Sequence, residues 1–315
     1  MIGPAEHIRK RLKLRQLDVL IAVAECGNMA KAAEHLAISQ PVVSKTIAEL
    51  ENTLGARLFD RNRRGVELTL YGRALVKRSV VIVNDLRHSV AELEFLSDPT
   101  AGELRIGASD SLAAGMLGDI IDRMTRKHPR LTFEVTLGGG LIDLQYSELR
   151  AHNIDLILGR LPLTIPDDLE AAVLYREQAF VVAGAPSPWA RRRKIALVEL
   201  INEPWCLPTL ETFPWTLMAD AFRAQGLQLP RRVVTSRSIL LQHSLLTTGR
   251  FLSILPRSVL HYCATRLGLK ILAVDAAIEP WPVGIVTLKD RTVSPVVQVF
   301  IEFARDVAKL VSKAK

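Results

Sequence analysis

Four residues at the start of one helical stretch have side chains suited to the recognition of DNA bases. The stretch reads SQPVVSK, and the four residues are Gln40, Pro41, Ser44 and Lys45. A glutamine amide can form two hydrogen bonds with adenine, and a lysine ammonium can reach the acceptor atoms of guanine. A serine hydroxyl can bond a base or a phosphate, and a proline ring can contact a thymine methyl group. On this stretch alone, a solvated helix start with an ordinary cap explains the same residues equally well.

The helix that carries these residues must pack by one face and expose the other. Ser39 is predicted to cap it, and Pro41 fits the first turn, where a missing N–H is not needed. Gln40, Ser44 and Lys45 fall on the side away from the apolar stripe, so the polar group is the exposed face of a packed helix. The predicted stripe and helix end are Val43, Ile47, Leu50, Leu54 and Gly55.

Two shorter helices are predicted before this one. Residues spaced by three and four mark one face of the first helix, and small residues mark a close-packing face on the second. The break at Gly27-Asn28 separates them, since these residue types tolerate a left-handed backbone. The predicted faces are Leu14, Leu17, Ile21 and Ala24 in the first helix and Ala30, Ala33 and Ala37 in the second.

A basic hairpin is predicted directly after the third helix. Two short runs, RLF and VELT, flank the polar segment DRNRRG, which is typical of a hairpin. Arg61, Arg63 and Arg64 lie in its tip, where a wing can touch phosphates or enter the minor groove. Further phosphate contacts are predicted for the residues that precede the first helix, namely Lys10, Lys13 and Arg15.

A long helix is predicted from Leu70 to about Leu96. Its apolar residues form a short heptad seam that is weakened at Ser79. We interpret it as a dimerisation helix; the alternative is a helix that lies on its own domain. The seam consists of Val76, Val83, Val90, Leu86 and Leu93. The segment SDPTAG, residues 97–102, is the predicted linker.

Strands and helices alternate after the linker, beginning with ELRIGAS, and this alternation predicts a parallel sheet in an α/β domain.

The chain has a net charge of +8 and a pI of about 9.6, which favours a polyanionic partner. Three scattered cysteines argue against a disulfide framework or a zinc site. No signal peptide and no membrane-spanning run is predicted, so we expect a cytoplasmic protein.

The sequence resembles the LysR-type transcriptional regulators over about residues 12–310. The resemblance rests on AAEHL, SQPVVSK, LE..LG..LF.R and LT.YG in fixed order. It implies an α/β protein with an N-terminal all-α winged helix-turn-helix, a long linker helix and a two-lobed effector domain similar to periplasmic binding proteins. The implied bounds are 12–69 for the DNA-binding domain, with the helix-turn-helix at 29–48, then 70–97 for the linker helix and 102–310 for the effector domain. Lobe one is expected at about 102–178 and 282–310, and lobe two at about 179–281.

The resemblance also implies roles for individual residues. The expected DNA-binding set is Gln40, Pro41, Ser44, Lys45, Arg63, Arg64, Met29, Lys31 and Ser39, with Arg64 in the minor groove. The expected ligand-binding set is Ser109, Ser111, Gly139 with Gly140, Thr209, Thr248 and Gly249. Asp110 lies between the two serines and would repel a carboxylate, which leaves room for a polyol or sugar-like effector.

The resemblance implies double-stranded DNA, a second copy of the chain, a small-molecule effector and RNA polymerase as partners. It implies no membrane, no metal and no cofactor. Two other classes stay open: an architectural DNA-binding protein that ignores small molecules, and an enzyme. The GGG at 138–140 is not followed by Lys-Ser or Lys-Thr, and Ser109 and Ser111 lie in no GxSxG motif, so catalysis is not expected.

Overall fold

The structure is a computed structural model, and its residues fall into two compact units. The first unit is Met1–Ala91 with Arg150–Asn153, and the second is Glu92–Leu149 with Ile154–Lys315. The residues that the structure describes are 11–62, 65–98, 101–138, 142–209, 213–230, 232–264, 268–276, 278–289 and 293–313.

Three helices and a two-stranded antiparallel hairpin make up most of the first unit, and a long helix follows them. The elements are α1 Leu14–Cys26, α2 Met29–His35, α3 Gln40–Leu54, β1 Phe59–Asn62, β2 Gly65–Leu68 and α4 Leu70–Ser97. The three helices, the hairpin and the long helix confirm the predicted order. Asn62 pairs with Gly65, so the hairpin strands extend further than RLF and VELT suggested. Arg61 therefore lies in β1 and not in a tip, and the predicted tip residues Arg63 and Arg64 lie outside the described residues.

The buried faces of α1 and α2 differ from the predicted ones. In α1, Leu17 is buried as expected, but Leu14 is 44% exposed, and Ile21 and Ala24 are only partly buried. In α2, Ala33 is buried, whereas Ala37 lies beyond the helix, exposed in the following turn. The residues that are buried in these two helices are Gln16, Leu17, Val19, Leu20, Ala22, Val23, Met29, Ala32 and Ala33.

The second unit contains two five-stranded sheets. Sheet one has the order β4-β3-β5-β12-β6, and sheet two has the order β11-β7-β10-β8-β9. The strands of sheet one are β3 Ala101–Ala108, β4 Arg130–Leu137, β5 Leu156–Arg160, β6 Leu169–Glu177 and β12 Trp281–Leu288. Those of sheet two are β7 Ala179–Gly184, β8 Trp205–Leu207, β9 Arg232–Thr235, β10 Leu252–Pro256 and β11 Leu269–Ile271.

The prediction of a parallel sheet is only partly right. Strands β4, β3 and β5 are parallel in sheet one, but β12 runs antiparallel to both of its neighbours. In sheet two, β10, β8 and β9 are parallel, and β7 runs antiparallel to both of its neighbours, β10 and β11. Both reversed strands lie next to a crossing of the chain between the sheets, since β7 is the first strand of sheet two and β12 returns to sheet one.

The helices of the second unit follow the strands that they cover. They are α5 Asp110–Leu112, a π-helical turn Ala113–Leu117, α6 Gly118–Lys127, α7 Ile142–Arg150, α8 Phe213–Ala224, α9 Ile239–Leu246, α10 Arg257–Cys263 and α11 Pro295–Lys313. One cluster of buried apolar side chains contains residues of both sheets, for example Ile106 of β3 and Leu252 of β10. The two sheets therefore share a core, and only one residue, Gln178, separates β6 of sheet one from β7 of sheet two.

Candidate nucleic-acid interface and effector cleft

Helix α3 buries one face completely and leaves its polar first turns in solvent. Val43 and Leu50 are 0% exposed and Ile47 is 1% exposed, as the apolar stripe predicted. Gln40 and Lys45 are exposed, and the Gln40 side chain makes no hydrogen bond to a described residue. Pro41 is also exposed, in the first turn of the helix. The side of α3 that carries these residues is therefore available to an external partner.

Ser44 and Lys45 contact other side chains of the protein. The Ser44 hydroxyl donates a hydrogen bond to the sulfur of Met29 at 3.2 Å, and Met29 itself is only 8% exposed. Met29 therefore belongs to the core and orients Ser44. The Lys45 ammonium lies 4.0 Å from the Glu49 carboxylate in an exposed pair, which is weak in water. Ser39 occupies the N-cap position, but its side chain makes no capping hydrogen bond.

The start of α2 is fixed by a residue that the sequence interpretation assigned to the break. The Asn28 side-chain oxygen accepts hydrogen bonds from the backbone amides of Ala30 at 2.8 Å and Lys31 at 3.3 Å. Asn28 therefore caps α2, and the left-handed residue that ends α1 is Gly27 alone. Lys31 lies exposed in this first turn, where its ammonium can reach an anion in solvent.

Glu51 on the last turns of α3 positions the hairpin. Its carboxylate oxygen accepts hydrogen bonds from the backbone amides of Leu58 at 2.7 Å and Phe59 at 3.2 Å. On the other strand, the Val66 amide donates to the Gly27 carbonyl at 3.0 Å. Gly65 has φ +141°, and a Cβ there would lie 2.4 Å from that carbonyl oxygen, so glycine is required. The glutamate of LE..LG thus connects α3 to the hairpin.

The LT.YG motif has a local structural explanation. The Thr69 hydroxyl accepts a hydrogen bond from the Gly72 amide at 3.0 Å and donates to the Arg57 carbonyl at 2.8 Å, so Thr69 fixes the start of α4. A Cβ on Gly72 would lie 2.1 Å from the Leu58 carbonyl oxygen. The glycine therefore allows α4 to begin directly against the segment that leads into the hairpin.

The apolar seam of α4 is split between two surroundings. Val76 packs on the core of the first unit, Val83 is partly buried, and Ser79 is fully buried. Large apolar side chains are exposed along the other side of the helix at spacings of four, four and three residues. They are Ile82 at 46%, Leu86 at 47%, Val90 at 47% and Leu93 at 67% exposed.

Ser109 and Ser111 lie where β3 of sheet one ends. Ser109 is the N-cap residue of α5, and its hydroxyl oxygen is 3.4 Å from that of Ser111. Asp110, the first residue of α5, is half-buried, and its carboxylate makes no hydrogen bond or ion pair with a described residue. Gly139 and Gly140 lie outside the described residues. The segment that follows β3 thus presents two hydroxyl groups and one carboxylate together.

Gln145 stabilises the same edge of sheet one and was not predicted. It is 6% exposed, and its side-chain amide donates to the Ala108 carbonyl at 3.1 Å. The Gly138 amide donates to the same carbonyl at 3.1 Å, and a Cβ on Gly138 would overlap the Gln145 side chain. The end of β3 is therefore held rigidly just before Ser109. A buried polar residue on a helix that follows a glycine run was the available signal.

The structure does not bring Thr248 and Gly249 together with Thr209. Strands β8 and β10 are parallel, with Trp205 opposite Leu252, so Thr209 follows the carboxyl end of β8 whereas Gly249 precedes the amino end of β10. Gly249 has φ +74°, and a Cβ there would lie 3.0 Å from Pro186. The Thr248 hydroxyl donates to the Leu245 carbonyl at 2.6 Å. These two residues close the turn after α9.

The carboxyl end of β10, and not the turn before it, lies at the same end of sheet two as Thr209. Strand β10 ends at Pro256 on the same edge of sheet two at which β8 ends before Thr209, and Ser258 on α10 follows Pro256. A Cβ on Gly115 would lie 3.1 Å from the Ser258 carbonyl oxygen, so this end of sheet two meets the segment after Ser109. The motif identified a strand of sheet two, and a ligand-binding role for Thr248 and Gly249 stays a prediction.

Two segments of the chain match known protein families. Residues 14–73 match the bacterial regulatory helix-turn-helix protein, lysR family, and residues 97–309 match the LysR substrate binding domain. The second match alone covers more than half of the 315 residues. The chain belongs to the LysR family. It is a DNA-binding transcriptional regulator with a substrate-binding domain, as the sequence resemblance implied.

Full-length relatives of this LysR-family chain are transcriptional regulators. GbpR of Azospirillum brasilense is 28% identical over 294 residues, which cover 91% of this chain and 84% of that protein. PcaQ of Agrobacterium fabrum is 25% identical over 305 residues, 96% of each chain. Among solved structures, CbnR in complex with its target DNA has a TM-score of 0.69 at 22% identity, covering 94% of this chain and 100% of that one. A full-length OxyR variant from Pseudomonas aeruginosa has a TM-score of 0.66 at 20% identity, with 96% and 99% covered. The structural likenesses show the fold.

Two kinds of feature are absent from the described residues of this LysR-family protein. None of their helices is both long and apolar enough to cross a bilayer. They contain no group of three or more histidine, cysteine, aspartate or glutamate side chains placed to hold a metal ion. Cys206 is fully buried, and burial raises the pKa of its thiol, which disfavours the reactive thiolate.

Proposed function

We propose that α3 reads the bases of a dyad-symmetric operator through Gln40, Pro41 and Lys45, with Ser44 beside them. The observation that carries the proposal is the division of α3 into a buried apolar face and an exposed polar start. A recognition helix must expose its first turns while its other face packs on the domain. Lys31 and Arg15, both exposed on neighbouring helices, supply phosphate contacts that position the domain. Arg63 and Arg64 form the tip of the wing, with Arg64 in the minor groove.

The second part of the proposal is a homodimer formed through α4, which can pair further into a tetramer. The stripe Ile82–Leu86–Val90–Leu93 leaves four large apolar side chains roughly half exposed or more. Water-exposed apolar stripes of this length on one helix are typical of interaction surfaces. A symmetric dimer would present two α3 helices to half-sites about one helical turn apart.

The third part concerns the effector. We propose that a small molecule binds between the two lobes, at the edge formed by Ser109, Ser111, Thr209 and the carboxyl end of β10. Asp110 at this edge favours a neutral, hydroxyl-rich ligand over a carboxylate, because two negative charges would repel. Isothermal titration against a metabolite panel tests this: a tight carboxylate ligand whose affinity is unchanged by Asp110→Ala would contradict it.

Binding would alter the angle between the lobes and hence the spacing of the DNA-binding heads. For this to be allostery, the ligand must favour one arrangement by about 1–3 kcal/mol. The output passes to RNA polymerase in the cytoplasm. We assign no catalytic role to the chain. A melting shift with a small ligand would separate this proposal from an architectural DNA-binding protein.

Footprinting tests the assignment of roles on α3. The DNA is the region upstream of the chain's own gene, since such regulators commonly lie beside their targets. Lys45→Ala should cost about 1–3 kcal/mol on the matched sequence and relax base preference, whereas Arg15→Ala should weaken binding to all sequences alike. Equal losses for both variants on matched and scrambled DNA would overturn the assignment.

A further inference from the structure

Helix α10 has two faces with different chemistry, and they contact different parts of the second unit. Val259 and Leu260 are buried in an apolar cluster with residues of sheet two, among them Val182 and Leu255. Ser258 and Tyr262 are four residues apart and therefore share the other side of the helix. That side meets elements that follow the strands of sheet one.

Tyr262 makes the first of two polar contacts across the lobes. Its hydroxyl donates a hydrogen bond to a carboxylate oxygen of Asp119, on α6, at 3.0 Å. The other carboxylate oxygen accepts from the Arg123 guanidinium at 2.7 Å. Arg123, on the same helix as Asp119, therefore pairs with the carboxylate and orients it for the bond with Tyr262. Hydrogen bonds to an ionised acceptor are stronger than those between neutral groups.

Glu177 makes the second contact, at the point where β6 ends and the chain crosses to sheet two. It is 2% exposed, and one of its oxygens accepts the Tyr175 hydroxyl at 2.8 Å. The other oxygen accepts the backbone amides of Gln178 at 3.0 Å and Ser258 at 3.3 Å. This buried carboxylate therefore holds the first turn of α10 to the crossover segment.

The two faces of α10 differ in how easily they separate. Removing the apolar face from sheet two would expose side chains that are now buried, which the hydrophobic effect opposes in proportion to their area. The polar contacts can exchange their partners for water on opening, which recovers part of their free energy, although bonds to an ionised acceptor contribute more than neutral ones. Between them, the backbone of Gly115 allows the helix to approach the π-helical turn without a side chain in the way. When the cleft changes shape, the polar side should open first.

We propose that α10 is a clasp that moves with sheet two and fixes the angle between the lobes through two bonds, Tyr262 to Asp119 and Ser258 to Glu177. Asp119 and Glu177 are its positioning residues. The regulatory consequence of the clasp rests on the proposed function, because an effector in the cleft would act by favouring the clasped or the open arrangement. The clasp itself is a property of the free protein.

Hydrogen exchange followed by mass spectrometry on the full-length chain without ligand tests the clasp. In Tyr262→Phe, amides of α10 and of the π-helical turn Ala113–Leu117 should exchange about tenfold faster, because one hydrogen bond to a charged group no longer opposes opening. Strands β3 and β10 should be unchanged. The control is Tyr71→Phe, which removes the hydroxyl of an exposed tyrosine on α4 and should change neither segment.

A second variant removes the same bond from the other side and covers the case in which Tyr262→Phe does not fold. Asp119→Ala should accelerate the same two segments, and the double variant should exceed the faster single variant by less than about twofold, since both changes remove one bond. An increase confined to α10, an equal increase in all segments, full additivity in the double variant, or no change would overturn the clasp. If the wild-type protein bound no DNA, the proposed function would be wrong, but the hydrogen-exchange result would still test the clasp.

Discussion

Helix α3 in the first unit and helix α10 in the second each bury an apolar face on their own domain. The side chains are Val43 and Ile47 in one helix and Val259 and Leu260 in the other, all at most 5% exposed. Their polar sides differ. On α10, Tyr262 and the Ser258 amide are bonded to carboxylates of the same chain. On α3, Gln40 has no described partner. Polar groups with internal partners fix the shape of a protein, and those without them are available to an external ligand.

The largest expected effect concerns what the two helices share. Ile47→Ala and Leu260→Ala should each lower the free energy of unfolding by about 2–5 kcal/mol, because each leaves a cavity in a packed cluster. Urea unfolding followed by circular dichroism measures this. Leu240→Ala is the control, since Leu240 is 79% exposed and its truncation should cost under about 1 kcal/mol. If Ile47→Ala or Leu260→Ala also lowered the free energy of unfolding by less than about 1 kcal/mol, the apolar face of that helix would not be what stabilises it.

Alkaline pH should weaken the region around α10 and leave α3 unaffected. Burial, together with the negative charge of Glu177, raises the pKa of Tyr175 above its ordinary value of 10, and burial with Asp119 raises the pKa of Tyr262. The folded state therefore keeps these protons longer than the unfolded state. Stability should be intact below about pH 10 and then fall by about 1.4 kcal/mol per pH unit for each tyrosine. Urea unfolding at about pH 8, 10 and 11, on either side of the ordinary tyrosine pKa, should show a smaller decline in Tyr175→Phe, and an identical decline would refute this account.

A smaller effect is expected from the weak ion pair between Lys45 and Glu49 on α3. Glu49 lies 4.0 Å from the Lys45 ammonium and would compete with DNA for it. Glu49→Gln should therefore tighten binding of the full-length chain to duplex DNA by about two- to fivefold at low salt, with less effect as salt rises. Fluorescence anisotropy measures the affinity. Glu103→Gln removes an exposed carboxylate of the second unit and serves as the control for net charge. If both variants gain equally, the pair has no specific role.

The smallest effect is expected where α3 does have an internal partner. Ser44→Ala removes a hydrogen bond to the Met29 sulfur, which is a weak acceptor, so stability should fall by less than about 1 kcal/mol. Thermal unfolding measures it. A loss above about 2 kcal/mol, more than a typical neutral hydrogen bond contributes, would make Ser44 a structural residue. The polar side of α3 would then resemble that of α10.

Local sequence patterns were sufficient for much of the DNA-binding domain. The stripe Val43–Ile47–Leu50, the hairpin and the start of α4 follow from contacts between residues close in the chain, which periodicity and turn residues encode. The face of α1 was misassigned because apolar residues occur on most sides of this helix, and packing against α2 and α3 decides which are buried. The cap formed by Asn28 was hidden for a related reason, since the same dipeptide both ends one helix and begins the next.

The cleft could not be predicted to the same degree, because strand order depends on contacts between distant parts of the chain. Each strand was recognisable, but its spacing does not show that β12 enters between β5 and β6 in the opposite direction. The fold places Thr248 and Gly249 before the amino end of β10 and Thr209 after the carboxyl end of β8, so these residues lie at opposite ends of sheet two, and their role in ligand binding stays a prediction. Glu177 and Asp119 carry no motif, and only the fold brings them to one helix.

The most direct test of the account is the selection of bound duplexes from a random pool with the full-length protein. The account predicts an enriched sequence with two inverted half-sites about one helical turn apart. With Lys45→Ala, preference should be lost at the same position in both half-sites while the spacing is retained. Failure to enrich any sequence, or a Lys45→Ala profile identical to that of the wild type, would contradict the claim that the exposed start of α3 reads DNA.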